Sequence, residues 1–303
     1  MGVMRNITHG KETANRIAAS FDGIISISEE EKKELQQILL KMYDDIACVC
    51  KKHNIIPMLV GGSALGAIRH QGFIPWDDDL DIALSRKDYH QFQLVFEQEL
   101  SEKYVLNAPI RSKAVRARFP KILKKGTVLR EINDVSDPEA QGVFLDIFII
   151  ENAPDNPLLR KIKGILCNAL EFIAGQVQLR ENCDILTKRF YLSAGKSNYY
   201  IRRIVGTVFS MFRTSRWMMF VDRAVQCNNP ESKYCTLATG RKHYLGEMLE
   251  RSVLFPACEG VFEGRKVFLP SNPDAYLKNL YGDYMTIPPI EKREQHFIRE
   301  IRL

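Results

Sequence analysis

Met58-Leu59-Val60-Gly61-Gly62-Ser63-Ala64-Leu65-Gly66-Ala67-Ile68-Arg69-His70-Gln71-Gly72-Phe73-Ile74-Pro75-Trp76-Asp77-Asp78-Asp79-Leu80-Asp81-Ile82-Ala83-Leu84 reads as strand, turn, short helix, turn and strand. The apolar run Met58 to Val60 stops at Gly61 and Gly62, which tolerate φ > 0 and let a phosphate approach the backbone, and Ser63 is placed to cap the helix that follows. A helix N-terminus offered in this way suits an anion. Asp79 and Asp81 stand two apart in a run that continues as Ile82-Ala83-Leu84. On a strand they share one face, roughly 6.6 Å apart at Cα, while Leu80 and Ile82 point to the core. Carboxylates held that close repel each other and call for a cation. Mg²⁺, with Mn²⁺ as an alternative, fits because it accepts one or two carboxylates and fills its other positions with water and substrate phosphate. Either half alone is a weak signal, and a glycine-rich turn before a solvated acidic loop over Trp76 to Asp79 would explain it. Together, with sixteen positions from Ser63 to Asp79, they point to one site for a nucleotide phosphate and a divalent metal.

The remainder of the chain sets the bounds. Its 303 residues, 45% hydrophobic and 26% charged, suit one large domain or a domain with an insertion. A net charge of +6 fits an anionic substrate or an anionic membrane face, and without a clustered basic stripe carrying aromatics it does not predict nucleic-acid binding. Seven cysteines, odd in number and without a Cys-x-x-Cys pair, read as reduced, mostly buried thiols of a cytosolic protein. Met1 to Asp22 lack the apolar core of a secretory leader, and no run approaches the ~18–20 apolar residues of a spanning helix. The expectation is a cytoplasmic protein, soluble or peripheral at the inner face of the membrane.

Four regions follow from the patterning: an extension over 1–27, a catalytic core over 28–154, a helical insertion over 155–230 and a closing part over 231–303. Ser28 and Glu31 form a capping box ahead of Leu35, Ile38, Leu39, Met42 and Ile46 at helical spacing. Ser85 and Asp88 start a second amphipathic helix through Tyr89, Phe92, Val95 and Phe96. Strands are expected at Tyr104–Leu106 and Val115–Leu123, and Lys121 on the second is the candidate point charge for a substrate phosphate. The apolar strand Gly142 to Ile150 carries one carboxylate, Asp146, which is either a paired core group or the third member of a metal triad with Asp79 and Asp81. Helical runs Leu158–Gln178 and Ile201–Val225 fill the insertion. The stretch Ile201 to Val221, apolar with Arg202, Arg203, Arg213 and Arg216, is either a membrane-surface face or a core helix with arginines at its rim. Short strands at Tyr234–Ala238 and Val261–Leu269 lead to Asn272-Pro273 and a last helix ended by Gly282.

The string Gly62 to Ile82 resembles the signature of the LicD family, bacterial phosphocholine transferases related to eukaryotic fukutin-type ribitol-phosphate transferases, with Leu80 where the family more often has isoleucine. Lys121-Ile122, the Leu145-Asp146-Ile147-Phe148 string and the tail from Tyr281 to His296 are similar to further blocks of that family, while the insertion carries none of its motifs. The resemblance implies an α+β nucleotidyltransferase-like fold whose mixed sheet carries the triad Asp79, Asp81 and Asp146. It implies transfer of a phospho-alcohol, typically phosphocholine from CDP-choline, to a hydroxyl of a glycan or lipid-linked glycan of lipopolysaccharide, teichoic acid or capsule, with CMP leaving. In that scheme Gly61, Gly62 and Ser63 hold the phosphate, Lys121 and Arg69 neutralise charge, His296 touches substrate, His70 has a minor role at the mouth, and Trp76 and Tyr284 stack on cytosine or enclose a trimethylammonium. Two alternatives stand: a nucleotidyltransferase that moves NMP to a small molecule or RNA, and a non-catalytic binding module that keeps the fold.

Overall fold

The computed structural model describes residues 21, 23–110, 112, 118–132, 134, 140–293 and 296–303. Most of the expected N-terminal extension lies outside the described residues, as do residues 115–117 of the strand expected to end at Leu123. Helix α1 (Glu29–Lys52) starts as its sequence dictates: Ser28 Oγ accepts from the Glu31 N–H at 3.1 Å, and the Glu31 carboxylate accepts from the Ser28 N–H at 2.8 Å. Its stripe of Leu35, Leu39, Met42 and Ile46 is buried in the main core. Strand β1 (Met58–Leu59), helix α2 (Gly61–His70) and strand β2 (Asp81–Ser85) follow. Ser85 Oγ then accepts from the Asp88 N–H at 3.1 Å to start α3 (Arg86–Glu99).

Next come β3 (Tyr104–Asn107), β4 (Lys121–Lys124), β5 (Val128–Glu131) and the ten-residue β6 (Phe144–Ala153). The strand expected to begin at Val115 is short because, of its described residues, only Lys121 to Leu123 pair with β6. After the inserted helices the chain adds β7 (Tyr234–Leu237), the one-turn helix α7 (His243–Gly246), β8 (Met248–Glu250), the one-turn helix α8 (Arg251–Leu254), β9 (Cys258–Phe262), β10 (Arg265–Leu269) and, last of the strands, β11 (Ile298–Arg302). The run expected as one strand over Val261–Leu269 is a hairpin, since Glu263 and Gly264 both take positive φ between β9 and β10.

The main sheet runs β3-β4-β6-β2-β1-β10-β9, with β7 pairing the far half of β6 and β8 beyond it. It is mixed: β2 lies parallel to β6 and β1 parallel to β10, and the other pairs are antiparallel. With helices flanking it, this is the expected α+β class. A second, two-stranded sheet joins β5 to β11.

The insertion holds three helices, α4 (Pro157–Asn182), α5 (Ile185–Val208) and α6 (Thr214–Val225). This differs from two runs ending at Gln178 and Val225. The Gly195-Lys196-Ser197-Asn198 stretch is a kink inside α5, where Gly195 has φ 158° and ψ 100°, and the helices are separated at 183–184 and 209–213. Cys167, Ala174, Val177, Trp217, Met218 and Val221 form a second core, with Phe209 and Phe212 against it. All seven cysteines are free, yet only Cys50, Cys167 and Cys235 are buried, so the expectation of mostly buried thiols does not hold.

The insertion is tied to the sheet by a charge cluster. Arg86 donates to Asp222 of α6 at 2.9 Å and to both oxygens of Glu151 on β6, whose side chain is only 3% exposed. A buried carboxylate stripped of its partner is an uncompensated charge. Arg86→Leu is therefore expected to lower stability by about 3–5 kcal/mol, and Arg86→Leu with Glu151→Leu to recover most of that loss. Urea unfolding of the two variants measures both.

Candidate active site

Strand register assembles the site. Lys121 of β4, Asp146 of β6 and Asp81 of β2 are partners in one row across three adjacent strands. Residues in one such row project from the same face of a sheet. Asp79 lies two residues before Asp81 on the extended segment leading into β2 and joins them. Carboxylate oxygens of Asp79, Asp81 and Asp146 all lie within 4.8 Å of one another, and so do those of Asp77, Asp78 and Asp79. The two-residue spacing of Asp-x-Asp thus becomes a convergent set of hard oxygen donors, the chemistry that Mg²⁺ or Mn²⁺ takes.

Helix α2 meets this cluster with its N-terminus. Val60 is its N-cap and no side chain caps it. Ser63 is not the cap its position suggested. It sits inside the first turn, where Oγ accepts from the Asp81 N–H at 2.8 Å and fixes the start of β2 to the helix. Gly61 has φ 54°, and a Cβ there would lie 2.6 Å from Asp81 Oδ2; at Gly62 it would lie 2.7 Å from Asp77 Oδ2. The two glycines therefore admit carboxylates to the positive end of the helix, where negative charge is favoured. The Gly61 N–H donates to the Tyr276 hydroxyl at 3.0 Å, on helix α9 (Pro273–Tyr281). That helix starts as expected, with the Asn272 side chain accepting from the Ala275 N–H.

Lys121, expected on a substrate phosphate, points its Nζ at both oxygens of the buried Asp146, at 2.7 and 3.0 Å, and stacks 3.5 Å from the Phe144 ring. Asp146 is paired with Lys121, and the same carboxylate also lies within 4.8 Å of Asp79 and Asp81 oxygens. Electrostatics follow from the crowding. Burial pushes the Asp79 carboxyl up to about 6, with His296 pulling it down and Asp78 and Asp146 pushing further up. Burial first, then Asp79 and the other carboxylates, hold Asp77 and Asp81 well above the usual range. Asp146 is raised by burial against the opposing pull of Lys121.

The other expected residues divide into two groups. His296 reaches the cluster: Nδ1 is 2.6 Å from Asp78 Oδ1, and Nε2 is 3.6 Å from Asp79 Oδ2 and 3.7 Å from Glu131 Oε1. Burial disfavours its charge, but Asp78, Glu131 and Asp79 override that and hold the imidazolium well above 6.5. Arg69, His70, Trp76 and Tyr284 gather beside the cluster. Arg69 donates to His70 Nε2 at 2.9 Å and to the Tyr284 carbonyl at 2.7 Å, and it lies 5.9 Å from the Trp76 ring, which Arg293 covers at 4.1 Å. The Tyr284 hydroxyl donates to Asp274 at 3.0 Å. A ring under a guanidinium is not an open cage for a trimethylammonium, and the group around Trp76 is cationic, as a phosphate requires.

Asp77, Asp78 and Glu131 also belong to the site and were not singled out from the sequence. The first two were legible as three carboxylates in a row after Trp76; nothing local to Glu131 marks it, since β5 is brought in by pairing with β11.

Residues 54–155 match the family model described as the LicD/FKTN/FKRP nucleotidyltransferase domain, a span that includes Asp77 to Asp81, Lys121 and Asp146. The lipopolysaccharide cholinephosphotransferase LicD of Haemophilus influenzae is 27% identical over 278 residues, covering 88% of this chain and 96% of that one. Uncharacterized proteins of Rickettsia typhi and Rickettsia prowazekii are 39% and 34% identical over 72 and 80 residues, 22% and 30% of their own lengths.

The raised carboxyls and the raised imidazole carry the same sign. Each binds its proton more tightly in the folded than in the unfolded chain, so the cluster's contribution to metal-free stability is greatest at low pH and is lost as pH rises from about 4 through 6 and beyond. Urea unfolding in chelator should show the stability of Asp79→Asn relative to wild type growing by on the order of 2 kcal/mol between pH 4 and 8. A relative stability of the variant that stays level or shrinks as pH rises would contradict the assignment.

Proposed function

We propose that this chain, which carries a LicD/FKTN/FKRP-family domain over residues 54–155, is a transferase that moves phosphocholine from CDP-choline to a hydroxyl of a lipopolysaccharide glycan precursor and releases CMP. The observation that carries this reading is the convergence of Asp79, Asp81 and Asp146 at the N-terminus of α2. Similarity along nearly the whole length of the Haemophilus lipopolysaccharide cholinephosphotransferase supports phosphocholine as the group moved and lipopolysaccharide as the acceptor.

The donor set fits Mg²⁺ or Mn²⁺: three carboxylates, no sulfur, and raised carboxyls that a cation would relieve. Asp79 and Asp81 would hold it, with Asp146 completing the set. A bound divalent ion there supplies charge neutralisation of the diphosphate and of the leaving CMP. The protein's own residues do the rest. Lys121 fixes Asp146 so that its oxygens face the cluster. Ser63 fixes Asp81 through its backbone amide. Arg69 and Arg293, beside Trp76, offer positive charge to the nucleotide phosphates. In the transfer the acceptor oxygen bonds to the phosphorus of phosphocholine as the bond from that phosphorus to the CMP oxygen breaks, and the hydroxyl proton passes to a carboxylate of the cluster.

Asp79→Asn and Asp81→Asn are each expected to lower turnover by roughly 10²-fold or more while the melting temperature stays level or rises, because one repelling charge has gone. A low melting temperature with near-normal turnover would remove the metal assignment. Incubation with Mg²⁺ and a panel of CDP-alcohols and NTPs identifies the donor. CMP from CDP-choline supports the proposal, CMP from another CDP-alcohol changes the transferred group, and pyrophosphate from an NTP points instead to NMP transfer. Mg²⁺ should raise the melting temperature mainly when CDP-choline is present, since diphosphate oxygens complete the coordination.

A further inference from the structure

Helix α4 presents an apolar face to solvent. Leu158, Ile162, Ile165, Leu166 and Phe172 recur at helical spacing and are 65%, 55%, 55%, 52% and 47% exposed. Gly164, Cys167, Ala174 and Val177 occupy the opposite, core side of the same helix. A surface helix ordinarily carries polar residues outward. One turn beyond Phe172 the helix α5 crosses it closely, where a Cβ on Gly206 would meet the Gln176 carbonyl at 2.4 Å. From that crossing α5 exposes Ile201, Ile204 and Val208, and Met211 follows them. Of the 22 large hydrophobic residues exposed among the described residues, 12 lie between positions 158 and 211, so the apolar surface is concentrated there rather than scattered.

Charge is concentrated in the same segment. Residues 155–230 hold twelve lysines and arginines against five acidic residues, a net +7 where the whole chain has +6. Those acids are already engaged: Asp155 by the Lys233 N–H, Glu171 by His243, Glu181 by Thr214, Asp184 by Arg299 and Asp222 by Arg86. Lys161 and Arg180 of α4, Lys188 and Arg189 of α5, and Arg213 and Arg216 at the start of α6 are exposed. No helix among the described residues is long and apolar enough to cross a membrane.

We infer that the outer face of α4 with the exposed end of α5 is a docking surface for an anionic lipid bilayer, lying in the headgroup plane with its leucines and isoleucines inserted and its basic residues on lipid phosphates. An apolar stripe rimmed by cations matches that surface in both of its properties. The face is broader than the Ile201–Val221 stretch and differs from it in content, because Phe209, Phe212, Trp217 and Val221 turn inward while α4 supplies most of the contact. The hairpin end of the insertion reaches the catalytic end of the sheet, where Thr187 Oγ1 donates to the Ile132 carbonyl and Phe190 packs on Phe297, the neighbours of Glu131 and His296. The inference does not rest on the proposed reaction.

Flotation of the full chain with vesicles decides it. Vesicles of phosphatidylethanolamine and phosphatidylglycerol should carry the protein at low salt, with at least tenfold weaker binding to phosphatidylcholine alone and in high salt. Ile162→Gln/Ile165→Gln/Leu166→Gln should weaken binding at least tenfold with an unchanged melting temperature, and Arg213→Gln/Arg216→Gln should weaken it on anionic vesicles only. Leu94→Gln, at a 72% exposed leucine on α3, should have no effect. Failure of the wild type to float, equal flotation of the triple variant, or a wild-type dimer that becomes monomeric in the triple variant without any vesicle binding would each overturn it.

Discussion

Repulsion among carboxylates is the constraint that the rest of this molecule answers. Five aspartates, Asp77, Asp78, Asp79, Asp81 and Asp146, are crowded at one end of the sheet, in two overlapping groups that share Asp79. Three features of the chain offset the repulsion. The amino end of α2 faces Asp77 and Asp81, the Lys121 ammonium holds Asp146, and the His296 imidazolium sits between Asp78 and Asp79. None of them removes the excess, as the elevated carboxyls show. Sites that do chemistry at charged groups commonly retain this kind of imbalance, because a perfectly neutralised cluster has nothing left to bind.

How much of this is written locally depends on the range of the interaction. Helix starts at Ser28, Ser85 and Asn272 are legible because a cap needs only three or four neighbouring residues. Asp79 and Asp81 are legible because period-two alternation is also local, and Asp146 stands out as a lone carboxylate in an apolar strand. The partner of Lys121 is not legible, since it depends on which residue of β6 lies opposite, and a shift of one position would turn the side chain to the other face. Ser63 was assigned the wrong partner for a related reason. As a helix-starting residue it suits a cap, but the strand that follows the turn returns the Asp81 amide to its hydroxyl and the tertiary bond prevails. Gly61 and Gly62 illustrate that one residue choice can satisfy two demands, so the demand cannot be inferred from the residue.

The insertion shows the same limit from the other side. Its α4 carries apolar residues all round, and periodicity alone does not say which side meets protein. Only the packing of α6 and the main sheet separates Cys167, Ala174 and Val177 from Ile162, Ile165 and Phe172. The Arg86, Glu151 and Asp222 cluster explains how a segment without recognisable motifs stays in register with the catalytic sheet. One guanidinium spans the start of α3, the far half of β6 and α6, so the inserted helices and β6 share a fixed reference point.

The contacts that close the site join residues very far apart along the chain. Gly61 meets Tyr276 across 215 positions, Arg69 meets Tyr284 across 215, and His296 meets Asp78 across 218. Loop closure over such distances has to precede any gain from the contacts themselves, which makes this end of the molecule slow to form. During synthesis the Gly-Gly-Ser helix and the aspartates leave the ribosome about two hundred residues before their partners, at a pace of roughly 5–20 residues per second. For many seconds, then, a nascent chain exposes its most acidic segment without α9 or His296 to meet it, and it reaches a competent cluster only when the carboxyl-terminal region folds back over the start of the sheet.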